Sequence, residues 1–158
     1  MRVILLVVTL CVACTGSASQ PTTDSTAANP TAGSHKLVAR NAEVTGVIVS
    51  SIEGKSMHGQ LLLKPLLRGD QMTILELHYQ AGAKAPLHTH THESLIYVVS
   101  GRIKTWIGDD VFVLGPGDVA RHPAGVLHTV EALEESTIVE VKSPAPDITT
   151  FIGTRKSP

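Results

Sequence analysis

Apolar residues along this chain come in short runs that turn residues cut apart. After position 44 the runs are Val44–Val49, Leu61–Leu67, Met72–Tyr79, Leu95–Val99, Ile103–Ile107, Val111–Leu114, Thr129–Ala132 and Thr137–Val141. Between them stand Glu53-Gly54, Arg68-Gly69-Asp70, Ala81-Gly82, Gly108-Asp109-Asp110, Gly115-Pro116-Gly117-Asp118 and Pro123-Ala124-Gly125. Runs of this length, rich in β-branched residues and bounded by Gly, Pro and Asp, predict strands. None sustains a helical period for long, so the expected fold is all-β, a closed barrel or sandwich. A short helix is expected at most around Leu37 to Val44.

The first residues follow a different pattern. Met1-Arg2 gives a minimal positive start, and Val3 to Ala13 is apolar except for Thr9. This stretch is too short to span a bilayer of ~30 Å and suits the apolar part of a signal segment. Cys11-Val12-Ala13-Cys14 resembles a bacterial lipobox, with Cys14 as the lipidated residue, although Cys11 stands where Leu is usual. The alternative is an ordinary secretory signal cut near Ala18. From Thr15 to Ser34 small and polar residues dominate, too few of them apolar to offset the entropy of ordering. The expected organisation is a signal over 1–13, a disordered tether over 14–36, a barrel over 37–150 and a tail over 151–158. The chain is then exported to the bacterial envelope and anchored to the membrane by lipid on the periplasmic side; a secreted soluble form is the alternative.

Composition narrows the chemistry. A formal net charge of −1, without a basic block, offers no electrostatic footprint for nucleic acid. Both cysteines, Cys11 and Cys14, lie ahead of the barrel, so the barrel has no disulfide, thiolate ligand or cysteine nucleophile. No internal repeat, helix-turn-helix or phosphate-binding glycine loop is present. Histidine is the abundant reactive residue: of eight, four fall between His88 and His122 and a further one is His128.

Two spaced motifs hold these histidines. The first runs from Gly82 through His88-Thr89-His90 and His92-Glu93-Ser94 to Tyr97-Val98-Val99-Ser100-Gly101. The second runs from Gly117 through His122-Pro123-Ala124-Gly125 to His128. In a strand, alternate side chains share a face, so His88 and His90 project together. A closed sheet lets His128 reach the same interior point from a later strand. Three imidazoles gathered in an apolar interior are costly unless a divalent cation binds them. Fe, Ni, Cu, Zn and Mn are the candidate ions.

Taken together, over positions 60 to 142, these motifs resemble the cupin superfamily of jelly-roll barrels. The resemblance implies metal binding by His88, His90 and His128, and pairing of two copies through edge strands. It also implies Glu or Gln as a fourth ligand where this chain has Ser94. Glu93 is one residue early, and a one-residue shift in a strand turns a side chain to the opposite face. The fourth contact is therefore open between Ser94 with water, Glu93 and His92. The run from His88 to Val98, with Pro-Ala-Gly-Val-Leu-His after it, is similar to small cupins of pectin and uronate breakdown. Those proteins promote ring-opening isomerisation of an unsaturated uronic acid. They carry Gln at the Ser94 position and Arg after a Ser-Pro, where this chain has Ala145.

The expected function is metal-dependent chemistry on a small oxygenated molecule, of isomerase or dioxygenase type. His122 is the candidate acid–base residue. The alternative is a tethered module that binds metal or a small ligand without turnover. Arg102, Lys104 and Arg121 are the nearest cations in sequence. His35, His58 and His78 are expected to be solvated, and Trp106 and Phe112 to lie in the core.

Overall fold

The computed structural model describes residues 36–155, so Cys14, the signal, His35 and nearly all of the tether lie outside the described residues. The chain divides into two units, of which Ala32–Pro158 contains the described fold. Ten strands follow in order: β1 Val47–Ile52, β2 Lys55–Arg68, β3 Thr73–Tyr79, β4 Glu93–Ser100, β5 Ile103–Ile107, β6 Asp110–Leu114, β7 Val119–His122, β8 His128–Ala132, β9 Ser136–Ser143 and β10 Ile152–Arg155. The only helical pieces among the described residues are short 3₁₀ turns, Asn41–Glu43 and Ile148–Thr150. The helix expected around Leu37 to Val44 is thus reduced to a single turn.

Seven strands form one sheet in the order β10-β1-β2-β3-β9-β4-β7, and three form a second in the order β6-β5-β8. Every pairing within them is antiparallel. Strand alternation fills the interior: Thr73, Leu75, Leu77 and Tyr79 of β3 are buried, while Ile74, Glu76 and His78 between them are not. Val49, Leu61, Leu63, Ile96, Val98, Ile103 and Ile138 join them in one continuous core. Each fully buried side chain of this size stabilises by ~1.5–3 kcal/mol.

Gly101 closes the turn between β4 and β5. Its φ is 78°, and a Cβ there would lie 2.3 Å from the Glu135 carbonyl oxygen. Only glycine fits.

Several expectations change. Residues 152–155, expected in a tail, are β10 and pair with β1 from Ile48↔Arg155 to Ile52↔Ile152. The strand containing Leu61–Leu67 starts earlier, at Lys55, so His58 lies in a strand; it remains exposed. The short run Val119–His122 is itself a strand beside β4. Phe112 is 46 % exposed rather than in the core, because β6 is the outer strand of the small sheet. Trp106 is half-buried and lies beneath two ammonium groups, Lys84 at 4.3 Å and Lys104 at 4.7 Å from the ring centre.

Candidate metal centre

His88 and His90 sit on the segment between β3 and β4, and His128 opens β8. His88 lies outside the named strands, yet it pairs with His128 as an isolated antiparallel bridge. His88 N–H donates to His128 O at 3.1 Å and His128 N–H to His88 O at 2.9 Å. Residues paired this way project side chains to one face. His90 is tied to the second motif, since the Gly125 N–H donates to its carbonyl at 2.8 Å. Gly125 adopts φ 74° to make that turn.

All three imidazoles are buried, and one ring nitrogen of each lies within 4.8 Å of the other two. Their tautomers are fixed by the main chain. Nδ1–H of His88 donates to Pro86 O at 2.7 Å, that of His90 to His92 O at 2.7 Å, and that of His128 to Val126 O at 2.8 Å. In each ring the lone pair is thereby left on Nε2, and the Nδ1 bond fixes the orientation, as metal-binding histidines require. Burial holds the rings neutral: desolvation lowers His88 and His90 to about 4 and lowers His128 as well. Three neutral nitrogen donors with matching tautomers fit a divalent transition ion.

The neighbouring residues fall into two groups. Glu93 points outward and pairs with Arg121 at 3.1 Å, on the exposed side of the wall. Ser94 faces inward and is fully buried, its Oγ 3.5 Å from His90 Nε2. His92 is buried and stacked on His90, with ring centres 3.8 Å apart, but is outside the set of three. Its Nε2 is shut off from solvent and has no hydrogen-bond partner among the described residues. His122 is buried and stacked on His128 at 4.4 Å. It bonds to Thr105 Oγ1 at 3.0 Å, and that hydroxyl donates in turn to Thr129 O. The Thr105 hydroxyl must therefore accept from His122 Nε2–H. Desolvation lowers His122 to about 3, so it is neutral at pH 7 and buttresses His128.

Sequence reasoning missed two charged residues. Glu140 and Lys142, both on β9, point into the barrel and are 8 % and 4 % exposed. Lys142 Nζ donates to Glu140 Oε1 at 2.7 Å and to Ser94 Oγ at 2.9 Å. Burial alone would raise the Glu140 carboxyl, but Lys142 outweighs it, and the group is lowered to about 2. The site's cation is therefore Lys142, not Arg102, Lys104 or Arg121. The local pattern pointed the other way: β9 alternates charged Glu140 and Lys142 with Val139 and Val141, and alternation alone turns the valines inward.

His88, His122, His128, Glu140 and Lys142 line one side of an interior chamber of about 40 Å³, otherwise walled by core residues such as Leu75 and Ile138. That is room for waters or a few atoms. Phe151 lines this chamber and also an outer groove containing His90 and His92.

Residues 75–141 match the family model described as the cupin domain. The paired antiparallel sheets form a jelly-roll-like fold similar to that of cupins, and His88, His90 and His128 are placed within it where they can hold a metal ion. Three solved structures are similar in fold. An RmlC-like cupin from Shewanella frigidimarina is 20% identical with TM-score 0.60, covering 71% of this chain and 94% of its own. KdgF from Halomonas sp. is 24% identical with TM-score 0.60, covering 71% and 96%. A predicted oxalate decarboxylase from Thermotoga maritima is 19% identical with TM-score 0.61, covering 68% and 99%. No curated protein matches the chain.

Proposed function

We propose that this protein is an exported metal-dependent cupin enzyme acting on a small oxygenated molecule. The observation that carries the reading is the set of His88, His90 and His128. Each spends Nδ1–H on a main-chain carbonyl and keeps Nε2 for a ligand. A divalent ion held by these nitrogens supplies Lewis acidity toward a carbonyl or hydroxyl, or a binding position for O₂. Around it, His122 holds His128 in place through their stacked rings, and Ser94 offers a neutral hydroxyl beside His90. Ionised Glu140 balances Lys142 within a water-poor wall.

The likeness to KdgF supports uronate-type isomerisation as the reaction to try first. The absence of Gln at Ser94 widens the choice to other oxygenated substrates. A second reading, a binding module without turnover, is favoured by the size of the chamber. About 40 Å³ holds no sugar ring unless the wall near Phe151 moves.

Metal analysis of freshly purified protein tests the metal, with about one equivalent expected per chain. Incubating the metal-loaded protein with unsaturated uronates and with flavonoid-like diols separates the two readings. Product formation supports the enzyme; saturable binding without product supports the module; neither metal nor binding ends both.

A further inference from the structure

The inner wall of the barrel has a feature that metal binding by three histidines leaves unexplained. A buried ammonium, Lys142, lies behind Ser94, and Ser94 Oγ is in turn 3.5 Å from Nε2 of the metal-ligand candidate His90. Lysine carries three N–H donors, and two are used, by Glu140 and Ser94. The charges around the chamber also fail to balance once an ion arrives. Three imidazoles are neutral donors, and Glu140 with Lys142 sums to zero, so a dication leaves the buried site with its whole double charge. Uncompensated charge in a low-dielectric interior is expensive. An anion drawn in from solvent reduces it.

A second observation marks the same wall. His92 is only 4 % exposed, and its buried Nε2 has no hydrogen-bond partner among the described residues. A buried polar atom left unpaired is costly unless a ligand satisfies it. His92 and Lys142 both contact Phe151, with the His92 ring centre at 5.4 Å and Lys142 Nζ at 5.8 Å. Phe151 in turn lines both the chamber, with Lys142, and the outer groove, with His92.

We propose that Lys142, His92 and Ser94 form a carboxylate-recognition subsite beside the three-histidine centre. Its ligand is a small carboxylate anion that lies against the ion and takes the free N–H of Lys142. This rests on the metal reading above and deepens it by naming the charge and size of the ligand. Lys142 lines the chamber of about 40 Å³, which sets the size at a few heavy atoms for the part that reaches it, while His92 lines the outer groove. The charge comes from Lys142. A neutral ligand of the same shape leaves both the ammonium N–H and the excess positive charge unanswered.

Acetate and acetamide match in shape and differ in charge, so they test the proposal directly. Protein loaded with Co²⁺ is titrated with each at fixed ionic strength, followed by calorimetry and the visible cobalt spectrum. Acetate is expected to bind about tenfold or more tightly than acetamide. His92→Phe keeps the stacked ring and weakens acetate several-fold with Co²⁺ uptake unchanged. Lys142→Met combined with Glu140→Gln removes both buried charges, so the fold is spared an unpaired one; it takes up Co²⁺ and loses the preference for acetate. Glu140→Gln alone removes the counter-charge and tightens acetate, a direction that a merely structural role for the pair does not produce. Equal affinity for acetate and acetamide in the wild-type protein overturns the proposal, as does a preference that survives the double substitution. Failure of the wild-type chain to take up Co²⁺ overturns the metal reading first, and this proposal with it.

Discussion

His88 and His128 exchange both of their main-chain hydrogen bonds, N–H to O at 3.1 and 2.9 Å, although His88 belongs to no named strand. Their ring centres lie 4.4 Å apart as a result. The candidate metal centre thus depends on a pairing of backbones as much as on the identity of the side chains. A substitution at either residue that keeps the backbone intact removes a ligand without removing the bridge.

His128→Ala should therefore abolish tight metal binding while leaving a folded barrel. Glu93→Ala should leave metal content at the wild-type level, because Glu93 faces outward onto Arg121. Metal analysis of the two purified variants side by side reads the difference. Equal loss in both would mean that Glu93 reaches the ion.

The buried pair on β9 predicts an asymmetry in stability. Lys142→Ala strands the Glu140 carboxylate in the interior and should cost roughly 3–5 kcal/mol. The double change Lys142→Met with Glu140→Gln should cost much less, since no uncompensated charge remains. Urea denaturation of the metal-free proteins measures both, and a single variant as stable as the double one would contradict the pairing at 2.7 Å.

Metal-free protein should lose stability as pH falls from about 6.5 toward 4. Burial lowers His88, His90 and His92 from 6.5 to about 4 and His122 to about 3. In that window the unfolded chain binds protons that the folded chain does not, so unfolding is favoured as acidity rises. The stability these groups support is fully present above 6.5 and is lost as pH drops through their folded values. Glu140, lowered to about 2, adds a further loss below its ordinary 4.5. Thermal melts across this range test the slope; a flat profile from 6.5 to 4 would contradict it.

Phe151 lines both the chamber and the groove, so Phe151→Ala should open a path between them. A chelator such as dipicolinate should then strip metal several-fold faster, with the equilibrium metal content of the untreated protein unchanged. An unaltered stripping rate would place the route elsewhere.

Cys14→Ala should shift the protein from the membrane fraction to the soluble one when the full chain is expressed in a bacterium. Retention in membranes would argue against lipidation at Cys14.

Much of this protein was legible in the order of its residues. Turn glycines between short apolar runs define an all-β chain, because strands need only local alternation and turns need only particular residues. Spacing in the two motifs singled out His88, His90 and His128 before any fold was known, and a one-residue offset was enough to turn Glu93 outward. What the chain order left open is what depends on closure. β9 reads locally as a strand with Val139 and Val141 on one face and Glu140 and Lys142 on the other. Alternation alone would put the valines inside. Pairing with β3 and β4 puts the charges inside instead, where Ser94 from β4 and Glu140 receive Lys142. In the same way, β10 returns from the end of the chain to pair with β1, and Phe151, just before it, comes to stand at the chamber wall. Such contacts join residues far apart in sequence. Only the three-dimensional packing decides them, because a strand's own pattern states which residues share a face and not which face the rest of the molecule will cover.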